Sequence, residues 1–306
     1  MVKNNIIEVE KLHKSFKNNV VVKNVTFDVQ EGEVFGFLGK NGAGKTTTIN
    51  MLTGIMYPDS GEFSICGMNS QEIDGIKKVI GVMPDASNFY NDLSALNHLR
   101  FFANLKKIKA KDDYLYNLLL KVGLKGHEKK KVGSYSFGMK KKLGIAQAII
   151  GDPKVVFLDE PTSGIDPESI LEIQGLIKEL STDGITVFLT SHNLNEVQKI
   201  CSKIAIMKEG VIAEIGNMHE LQNKYQENIS LSIRVNALNI EIINDLKISF
   251  GEKLIDINYD NDYLSCKVIG EEVIPILIKD LCLKNVYIYE VNINKISLED
   301  IFFKKI

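Results

Sequence analysis

Tryptophan is absent from this 306-residue sequence, and cysteine and proline are scarce, with four and six residues. The four cysteines, Cys66, Cys201, Cys266 and Cys282, are far apart, and neither a C-x-x-C pair nor a nearby histidine gives them a metal-ligand spacing. This scatter excludes a disulfide scaffold or a structural zinc site as the basis of the fold. We expect four reduced thiols that pack as small hydrophobic side chains.

Long apolar runs and an excess of charge are also missing. No run approaches the ~18–20 apolar residues that a membrane-spanning helix needs, and the start, MVKNNIIEVEKL, lacks the apolar core of a signal peptide. The net charge of −2 gives no overall attraction to nucleic acid. With 44% hydrophobic and 25% charged residues, the composition is that of a soluble globular protein long enough for two domains. Any membrane role is therefore expected to come through a partner.

The most specific motif present is GKNGAGKTT, which fits the phosphate-binding pattern G-x-x-x-x-G-K-[ST]. It follows the apolar run EVFGFL, which predicts a buried strand, and precedes TTTINMLTGI, which predicts a helix. A glycine-rich turn that matches by chance is the alternative, and the order strand, loop, helix argues against it. Lys45 would bring charge to the β- and γ-phosphates, and Thr46 would offer its hydroxyl to Mg²⁺. The predicted nucleotide-binding residues are Gly39, Lys40, Asn41, Gly42, Ala43, Gly44, Lys45, Thr46 and Thr47.

Two further strands are predicted to end in reactive side chains. In KVVFLDEPTSGIDP, Val155–Leu158 is predicted as a buried parallel strand, and Asp159 and Glu160 follow it. Because open α/β sheets bind ligands at the carboxyl ends of their strands, Asp159 is expected to hold Mg²⁺ and Glu160 to accept the proton of an attacking water. Taken alone, two adjacent acids would more often be a solvated turn. In GITVFLTSHNLNEV, a strand predicted over 185–189 likewise precedes His192, which is expected beside the γ-phosphate.

A fourth feature is the segment GSYSFGMKKKLGIAQAII, which predicts a helix with Ser136 at its N-cap and Gly138 in its first turn. The apolar period of this helix begins only at Leu143. A free hydroxyl beside exposed N–H groups makes such a helix start an anion site.

Together these motifs resemble the ATP-binding subunits of ATP-binding cassette (ABC) transporters over about residues 6–222. The loop 39–47, VVFLDEP, SGID at 163–166, His192 and the SYSFGMKKK segment match that family's motifs in order and approximate spacing. The resemblance implies an α/β fold, in which a P-loop NTPase (RecA-like) core carries an antiparallel β subdomain and a helical subdomain. It also implies ATPase activity with ATP and Mg²⁺.

In that family the signature segment of one subunit closes over ATP held by another. The resemblance therefore places Ser136 and Gly138 on the γ-phosphate of a partner chain's nucleotide and Asp166 in the D-loop. The assignment agrees with the residues, because Lys45 and its loop already serve this chain's own phosphates. By the same resemblance Phe16 stacks on adenine, and a strand residue that fills the core is the alternative.

Two positions depart from the family pattern. Phe137 replaces the first signature glycine, but Gly138 still permits close backbone approach and Phe137 can point away from the phosphate. Asp85, in IGVMPDASNFY, stands where many members carry glutamine. It is a candidate Mg²⁺ ligand, although a carboxylate cannot donate to a water or a phosphate as an amide can.

Residues 85–150 are predicted to form the helical subdomain, because SALNHLRFFANL and DDYLYNLLLKVGL carry apolar residues at helical spacing. Upstream, KLHKSFKNNVVVKNVTFDVQ predicts antiparallel strands around a polar turn. Between 100 and 142 there are thirteen Lys/Arg against three Asp/Glu, whereas the remainder has twenty-four against thirty-six. Solvated helix faces are the leading interpretation of this basic lobe, and contact with anionic lipid headgroups beside a permease is the alternative.

The nucleotide-binding domain is predicted to span 1–222, and a different pattern follows it. Strand-like and helical segments alternate in the order β-α-β-β-α-β over 227–294, which predicts a small α+β ferredoxin-like domain. SLEDIFFKKI adds a helix with Ser297 as its N-cap, so the accessory domain is predicted over 227–306. SLEDIFF also resembles the end of exporter-type ATPases of the drug-resistance group.

Two functions follow from this resemblance. In the first, the chain is the ATP-hydrolysing motor of an ABC-2-type exporter: it forms a dimer, expected to be a homodimer, and drives a separate membrane permease from the cytoplasmic face of the cell membrane. In the second, it is a soluble ABC-type ATPase that acts on nucleic acid or ribosomes. That class normally shows two cassettes in one chain or a long coiled-coil insertion, and the sequence shows neither. The charge balance also disfavours it, so no nucleic-acid partner is expected.

Overall fold

The computed structural model of the chain describes residues 4–85, 89–226 and 228–305. The predicted ranges 1–222, 85–150 and 227–306 also include residues 1–3, 86–88, 227 and 306, which lie outside the described residues. The chain forms two compact units, one extending to Met218 and the other spanning His219–Lys305.

The first unit contains both strands and helices. Its strands are β1 (Asn5–Phe16), β2 (Asn19–Gln30), β3 (Val34–Leu38), β4 (Ser60–Ile65), β5 (Met68–Asn69), β6 (Ile80–Met83), β7 (Val155–Leu158), β8 (Thr186–Ser191), β9 (Lys203–Lys208) and β10 (Val211–Gly216). Its helices are α1 (Lys45–Leu52), α2 (Ile73–Val79), α3 (Ala95–Leu105), α4 (Asp112–Lys121), α5 (Phe137–Ala148), α6 (Pro167–Thr182) and α7 (Leu194–Gln198).

These strands form two sheets. One is antiparallel with the order β2-β1-β4-β5, and the other has the order β10-β9-β3-β8-β7-β6. In the second sheet β9, β3, β8, β7 and β6 run parallel, and β10 pairs antiparallel with β9. Strands β3, β7 and β8 are buried at every position, as expected where a parallel sheet is covered on both faces. The predicted α/β core with an antiparallel β subdomain is confirmed.

Phenylalanine rings join the two sheets. Phe27 of β2 stacks on Phe35 with ring centroids 5.4 Å apart, and it lies 5.6 Å from Phe37 and 5.9 Å from Phe188. All four side chains are buried. Aromatic pairs in such arrangements add about 0.5–1.5 kcal/mol each to the free energy gained by burial. The antiparallel subdomain is thereby fixed on the strands that lead to the candidate site.

Helices α3, α4 and α5 lie between β6 and β7 in the chain, within the range predicted for the helical subdomain. The hydroxyl of Ser94 caps α3 by accepting from the main-chain N of Asn97 at 3.3 Å. In α4 the side chains of Leu115, Leu118 and Leu119 are buried at helical spacing.

The predicted end of one strand is wrong. The strand predicted over 185–189 extends to Ser191, because Thr190 and Ser191 pair with Phe37 and Leu38 of β3. Both residues are buried, and their hydroxyls have hydrogen-bond partners, so polar side chains are tolerated inside the sheet.

The second unit has its own sheet. Its elements are α8 (Met218–Tyr225), β11 (Ile229–Val235), α9 (Ile240–Phe250), β12 (Leu254–Asp260), β13 (Tyr263–Val268), α10 (Val273–Leu283), β14 (Ile288–Asn294) and α11 (Leu298–Lys305). The strand order is β12-β13-β11-β14, with every pairing antiparallel. Alternate residues of β11 and β13 form the core beneath the helices. The predicted ferredoxin-like topology is confirmed.

The ends of this unit are fixed by hydrogen bonds. Gln222 Nε2 donates to the carbonyl of Ile296 at 2.9 Å, and the N–H of Ile296 donates to Gln226 Oε1 at 3.4 Å. These bonds join the end of α8 to the segment between β14 and α11. At the start of α11, Ser297 Oγ accepts from the N–H of Asp300 at 3.1 Å, as predicted for an N-cap.

All four cysteines are free thiols. Burial raises the pKa of the Cys266 thiol to about 11. Cys282 is exposed, so the expectation that every cysteine packs as a buried hydrophobic side chain is wrong for this residue. Among the described residues, no helix is both long and apolar enough to cross a membrane.

Candidate active site

Strands β3, β7 and β8 end at one edge of the parallel sheet. Leu38 and Ser191, the last residues of β3 and β8, pair with each other, and β7 pairs with β8 beside them. The groups that follow these strands are the loop 39–44, the Asp159–Glu160 pair and His192. The sheet brings these predicted site residues together, as expected for the carboxyl ends of parallel strands.

The loop 39–44 turns tightly from β3 into α1. Gly42 and Gly44 have φ values of 82° and 109°, a left-handed conformation that glycine adopts without steric cost. Gly44 is the N-cap of α1, so the first N–H groups of that helix have no intrahelical carbonyl partner. The side chain of Lys45 is buried and donates to the carbonyl of Gly39 at 2.7 Å. A loop of this kind, leading into a helix N-terminus, is suited to phosphate.

A cavity of about 240 Å³ lies against this loop. Its lining is Lys40, Asn41, Gly42, Ala43, Met207, Lys208 and Glu209. Thr47 is half-buried in the first turn of α1, and Thr46 beside it is exposed.

Asp159 joins the loop to β8. Its side chain is buried and accepts from the hydroxyl of Thr46 at 3.0 Å and from that of Thr190 at 2.5 Å. A carboxylate and a hydroxyl are oxygen donors of the kind that Mg²⁺ prefers. Within the described residues, no group of three or more His, Cys, Asp or Glu side chains is placed to hold a metal ion. A magnesium ion at Thr46 and Asp159 would therefore take its other ligands from phosphate and water, which is its common behaviour.

The carboxylate of Glu160 contacts two other predicted site residues. Its Oε1 lies 3.5 Å from Nζ of Lys45, and its Oε2 lies 2.8 Å from Nδ1 of His192. Its main-chain N donates to Thr190 Oγ1 at 3.0 Å. The side chain is 12% exposed, so water can reach the carboxylate while the histidine and the lysine hold it.

The N-cap prediction for Ser136 agrees with the geometry of α5. Its hydroxyl accepts from the main-chain N of Met139 at 3.2 Å, and its residue is exposed. Phe137 is 55% exposed and lies beside Gly164, where an added Cβ would be 3.2 Å from the phenylalanine ring. The phenylalanine therefore packs on the segment that follows β7.

Gly138 and Asp166 meet at the start of α6. Asp166 caps α6 by accepting from the main-chain N of Ser169 at 2.9 Å and from its hydroxyl at 2.8 Å. These bonds, the main-chain one first, hold the pKa of the Asp166 carboxyl below its usual value. A Cβ on Gly138 would lie 2.5 Å from Ser169 Oγ, so glycine is required here for helix packing within this chain.

Two further predicted residues, Phe16 and Asp85, have other contacts. Phe16 is 46% exposed at the end of β1, with Nζ of Lys14 5.9 Å from its ring centroid. Asp85 accepts from Nζ of Lys141 at 3.1 Å. A stacking role for Phe16 and a metal role for Asp85 stay predictions.

Sequence reasoning missed two residues that contact the site. Thr190 is fully buried and its hydroxyl bridges Asp159 and the N–H of Glu160. Lys141 donates to the carbonyl of Glu160 at 2.7 Å. Thr190 could have been found as a polar residue that follows an apolar strand directly. Lys141 was obscured by its position in a run of three lysines.

Comparison with known proteins agrees with this geometry. A family model described as ABC transporter matches residues 22–163, and one described as ATP-binding protein DrrA1-3-like, C-terminal domain, matches residues 216–306. The chain is 33% identical over 303 residues to the ABC transporter ATP-binding protein YhcH of Bacillus subtilis (strain 168), covering 98% of this chain and 95% of that protein. It is 29% identical over 310 residues to the linearmycin resistance ATP-binding protein LnrL of the same organism, covering 97% of each.

A solved structure described as the ATP-binding subunit of an ABC transporter has the same fold. Its TM-score is 0.65 at 28% identity, and the match covers 72% of this chain and 93% of that chain. The full-length similarity to YhcH and this structural match carry the assignment, and the chain belongs to the ABC transporter ATP-binding proteins, which hydrolyse ATP to power transport.

Proposed function

We propose that this chain is the motor subunit of an ABC-2-type exporter. It binds ATP with Mg²⁺, pairs with a second copy of itself, and drives a separate membrane permease from the cytoplasmic face of the cell membrane. The observation that carries the proposed ATP hydrolysis is the position of the Glu160 carboxylate. One of its oxygens lies 3.5 Å from the ammonium of Lys45 and the other lies 2.8 Å from the ring of His192.

The chemistry follows from the residues around that carboxylate. The N–H groups of the loop 39–44 and the ammonium of Lys45 bind the phosphates. Glu160 takes a proton from water as the water oxygen bonds to the γ-phosphorus, and the bond from that phosphorus to ADP breaks. His192 orients the carboxylate of Glu160. Mg²⁺ held by Thr46 and Asp159 would supply charge that offsets the negative charge of the phosphates.

The remaining predicted residues have roles in binding rather than in proton transfer. Phe16 offers an exposed ring on which adenine can stack. Ser136 and Gly138 begin a helix whose exposed N-terminus can bind the γ-phosphate of a partner chain's nucleotide. Asp166 lies beside Gly138 and belongs to the same dimer contact in this proposal.

Export is favoured over work on nucleic acid or ribosomes by the relatives. LnrL is named for linearmycin resistance and matches over nearly the whole chain, the second unit included. The second unit also matches a domain named after the DrrA1-3-like ATP-binding proteins. The near-neutral net charge of −2 further disfavours a nucleic-acid partner.

Replacing Glu160 by glutamine tests the catalytic assignment. Glu160→Gln is expected to retain ATP binding and to lower kcat by about 10²–10⁴, the usual contribution of a positioned base. Glu172→Gln is the matched control, because Glu172 pairs with Lys142 on α5 rather than with the site. Near-normal hydrolysis by Glu160→Gln would show that another group accepts the proton.

A further inference from the structure

A buried lysine joins α5 to the main chain of Glu160. The side chain of Lys141 is only 5% exposed, although it stands within the lysine run 140–142. Its ammonium donates to the carbonyl oxygen of Glu160 at 2.7 Å and to Oδ1 of Asp85 at 3.1 Å. Lysine is almost never fully buried unless its charge is partnered. The contact with Glu160 is therefore an organised feature of the site.

The backbone that Lys141 contacts is strained. Glu160 has φ of 51°, in the left-handed region that residues with side chains rarely adopt. Its N–H donates to Thr190 Oγ1 at 3.0 Å, and its carbonyl accepts from Lys141 and from the N–H of Ser163 at 3.3 Å. Strained residues persist only where the surroundings over-determine them. Side chains from β8 and α5 provide that constraint here.

The position of this backbone sets the position of the carboxylate. Glu160 contacts Lys45 and His192 through its two carboxylate oxygens, at 3.5 and 2.8 Å. A rotation of the Glu160 backbone would move both oxygens together. Because a general base must lie within hydrogen-bond reach of the proton it takes, a displacement of about 1 Å can cost about 10²-fold in rate.

Asp85 completes the arrangement as the carboxylate that pairs with Lys141. Its side chain is 56% exposed, whereas that of Lys141 is 5% exposed. The ring centroid of Phe137 lies 5.7 Å from Nζ of Lys141. A buried ammonium that loses its carboxylate is destabilised, because the remaining neighbours carry no full negative charge.

We propose that Lys141 is a positioning residue for ATP hydrolysis, which holds Glu160 in its left-handed conformation and uses Asp85 as its counter-ion. Lys141 acts through Glu160, whose carbonyl oxygen accepts from its ammonium at 2.7 Å. Asp85 then has a role distinct from metal binding, since its carboxylate is engaged by the lysine. The inference rests on the proposed function of Glu160 as the base.

Lys142 supplies a matched control on the same helix. Its side chain is 12% exposed and pairs at 2.5 Å with Glu172, whose side chain is 52% exposed. Lys142→Met therefore removes a largely buried ammonium with an exposed partner, as Lys141→Met does. The two variants differ in the groups that lose a partner. Lys142 pairs with Glu172 on α6, whereas Lys141 contacts Asp85 and the carbonyl of Glu160.

Steady-state hydrolysis and ATP titration of the full chain give the first readout. Lys141→Met is expected to lower kcat by about 10- to 100-fold and to change the Kd for ATP by less than about twofold. Asp85→Asn is expected to lower kcat in the same direction by about three- to tenfold, and Lys141→Arg to retain most of the activity. Lys142→Met is expected to change kcat and Kd by less than about twofold.

The hydrolysis rate of the double variant Lys141→Met, Glu160→Gln gives the second readout. If Lys141 acts through Glu160, Lys141→Met is expected to lower the residual rate of Glu160→Gln no further. A kcat of Lys141→Met within twofold of the unmodified chain, an equal loss in Lys142→Met, or a full further loss in the Glu160→Gln background overturns the proposal. If Lys141→Met does not fold, Asp85→Asn decides, and an unchanged kcat there contradicts the proposal. Failure of the base assignment would differ, since Glu160→Gln itself would then hydrolyse ATP normally.

Discussion

Gly138 is predicted to be required for packing within this chain, apart from any contact with nucleotide. A Cβ added to Gly138 would lie 2.5 Å from Oγ of Ser169 and 2.9 Å from its Cβ. Rotation of the serine side chain can relieve the first contact. It cannot relieve the second, because the backbone of α6 fixes the Cβ. Gly138→Ala must therefore separate α5 from α6.

The expected loss of stability is the difference between two effects. Overpacking of this kind costs about 1–3 kcal/mol, whereas alanine in place of a helical glycine returns up to about 1 kcal/mol. The net loss of about 1 kcal/mol corresponds to a fall in Tm of about 2–4 °C for a unit of this size. Differential scanning calorimetry of the full chain measures this change in Tm directly. The method needs no tryptophan fluorescence, and the sequence has no tryptophan.

Two variants make the test specific. Ser169→Gly removes the colliding atoms, while its N–H can still donate to Asp166 as it does at 2.9 Å. In that background Gly138→Ala is expected to cause no loss of Tm, which corresponds to a coupling of at least about 1 kcal/mol. Gly175→Ala is the control on α6, because an added Cβ there meets nothing within 4 Å. It is expected to raise stability by up to about 1 kcal/mol.

Equal losses of Tm from Gly138→Ala with and without Ser169→Gly would refute the collision. ATP hydrolysis by the double variant adds a second result. If Gly138 acts through packing alone, activity recovers together with stability. Recovered stability without recovered activity would assign Gly138 to the partner chain's nucleotide as well.

Two further predictions concern dimerisation and acid stability. Ser136→Arg in the Glu160→Gln background is expected to abolish ATP-dependent dimerisation in sedimentation, because a long side chain would occupy the start of α5. Thr182→Arg in the same background is the control, because Thr182 is exposed at the last position of α6. Equal dimerisation of the two variants with ATP would contradict the trans role of Ser136. Burial lowers the pKa of His98 from its usual 6.5, and the hydrogen bond to Gln147 opposes this shift in part. As the pH falls, the histidine is therefore protonated in the unfolded chain before it is protonated in the folded chain. At pH values below about 6.5, the free energy of unfolding is therefore expected to decrease by up to about 1.4 kcal/mol per pH unit relative to that of His98→Phe. Denaturant unfolding of both chains at several pH values measures this, and parallel curves of unfolding free energy against pH would contradict it.

The residues at the carboxyl edge of the parallel sheet could be predicted because the sequence shows where the buried strands end. Continuous apolar runs such as Val155–Leu158 identify buried strands, and parallel strands place whatever follows them at one edge. That rule is enough to bring Lys45, Asp159, Glu160 and His192 together. The ferredoxin-like order was equally readable, because its strands alternate in period two and its helices do not.

Register could not be predicted in the same way. A strand ending at 189 would leave Thr190 in the following turn, but pairing with β3 keeps it inside β8. Its hydroxyl then joins the Asp159 carboxylate to the N–H of Glu160. Apolar patterning contains no information on which strand a polar end residue pairs with, so this bridge required the structure.

Lys141 was hidden for a different reason, and helix geometry alone could have revealed it. Three consecutive lysines on a helix point about 100° apart, so they cannot all face solvent when the helix is packed against a core. Lys141 precedes Ile145 by four positions and Ala148 by seven, and both of these residues are buried. A lysine on the apolar stripe of a helix needs acceptors at its tip. Since this helix begins at the predicted signature, the nearest acceptors had to belong to the site, and they are the carbonyl of Glu160 and the carboxylate of Asp85.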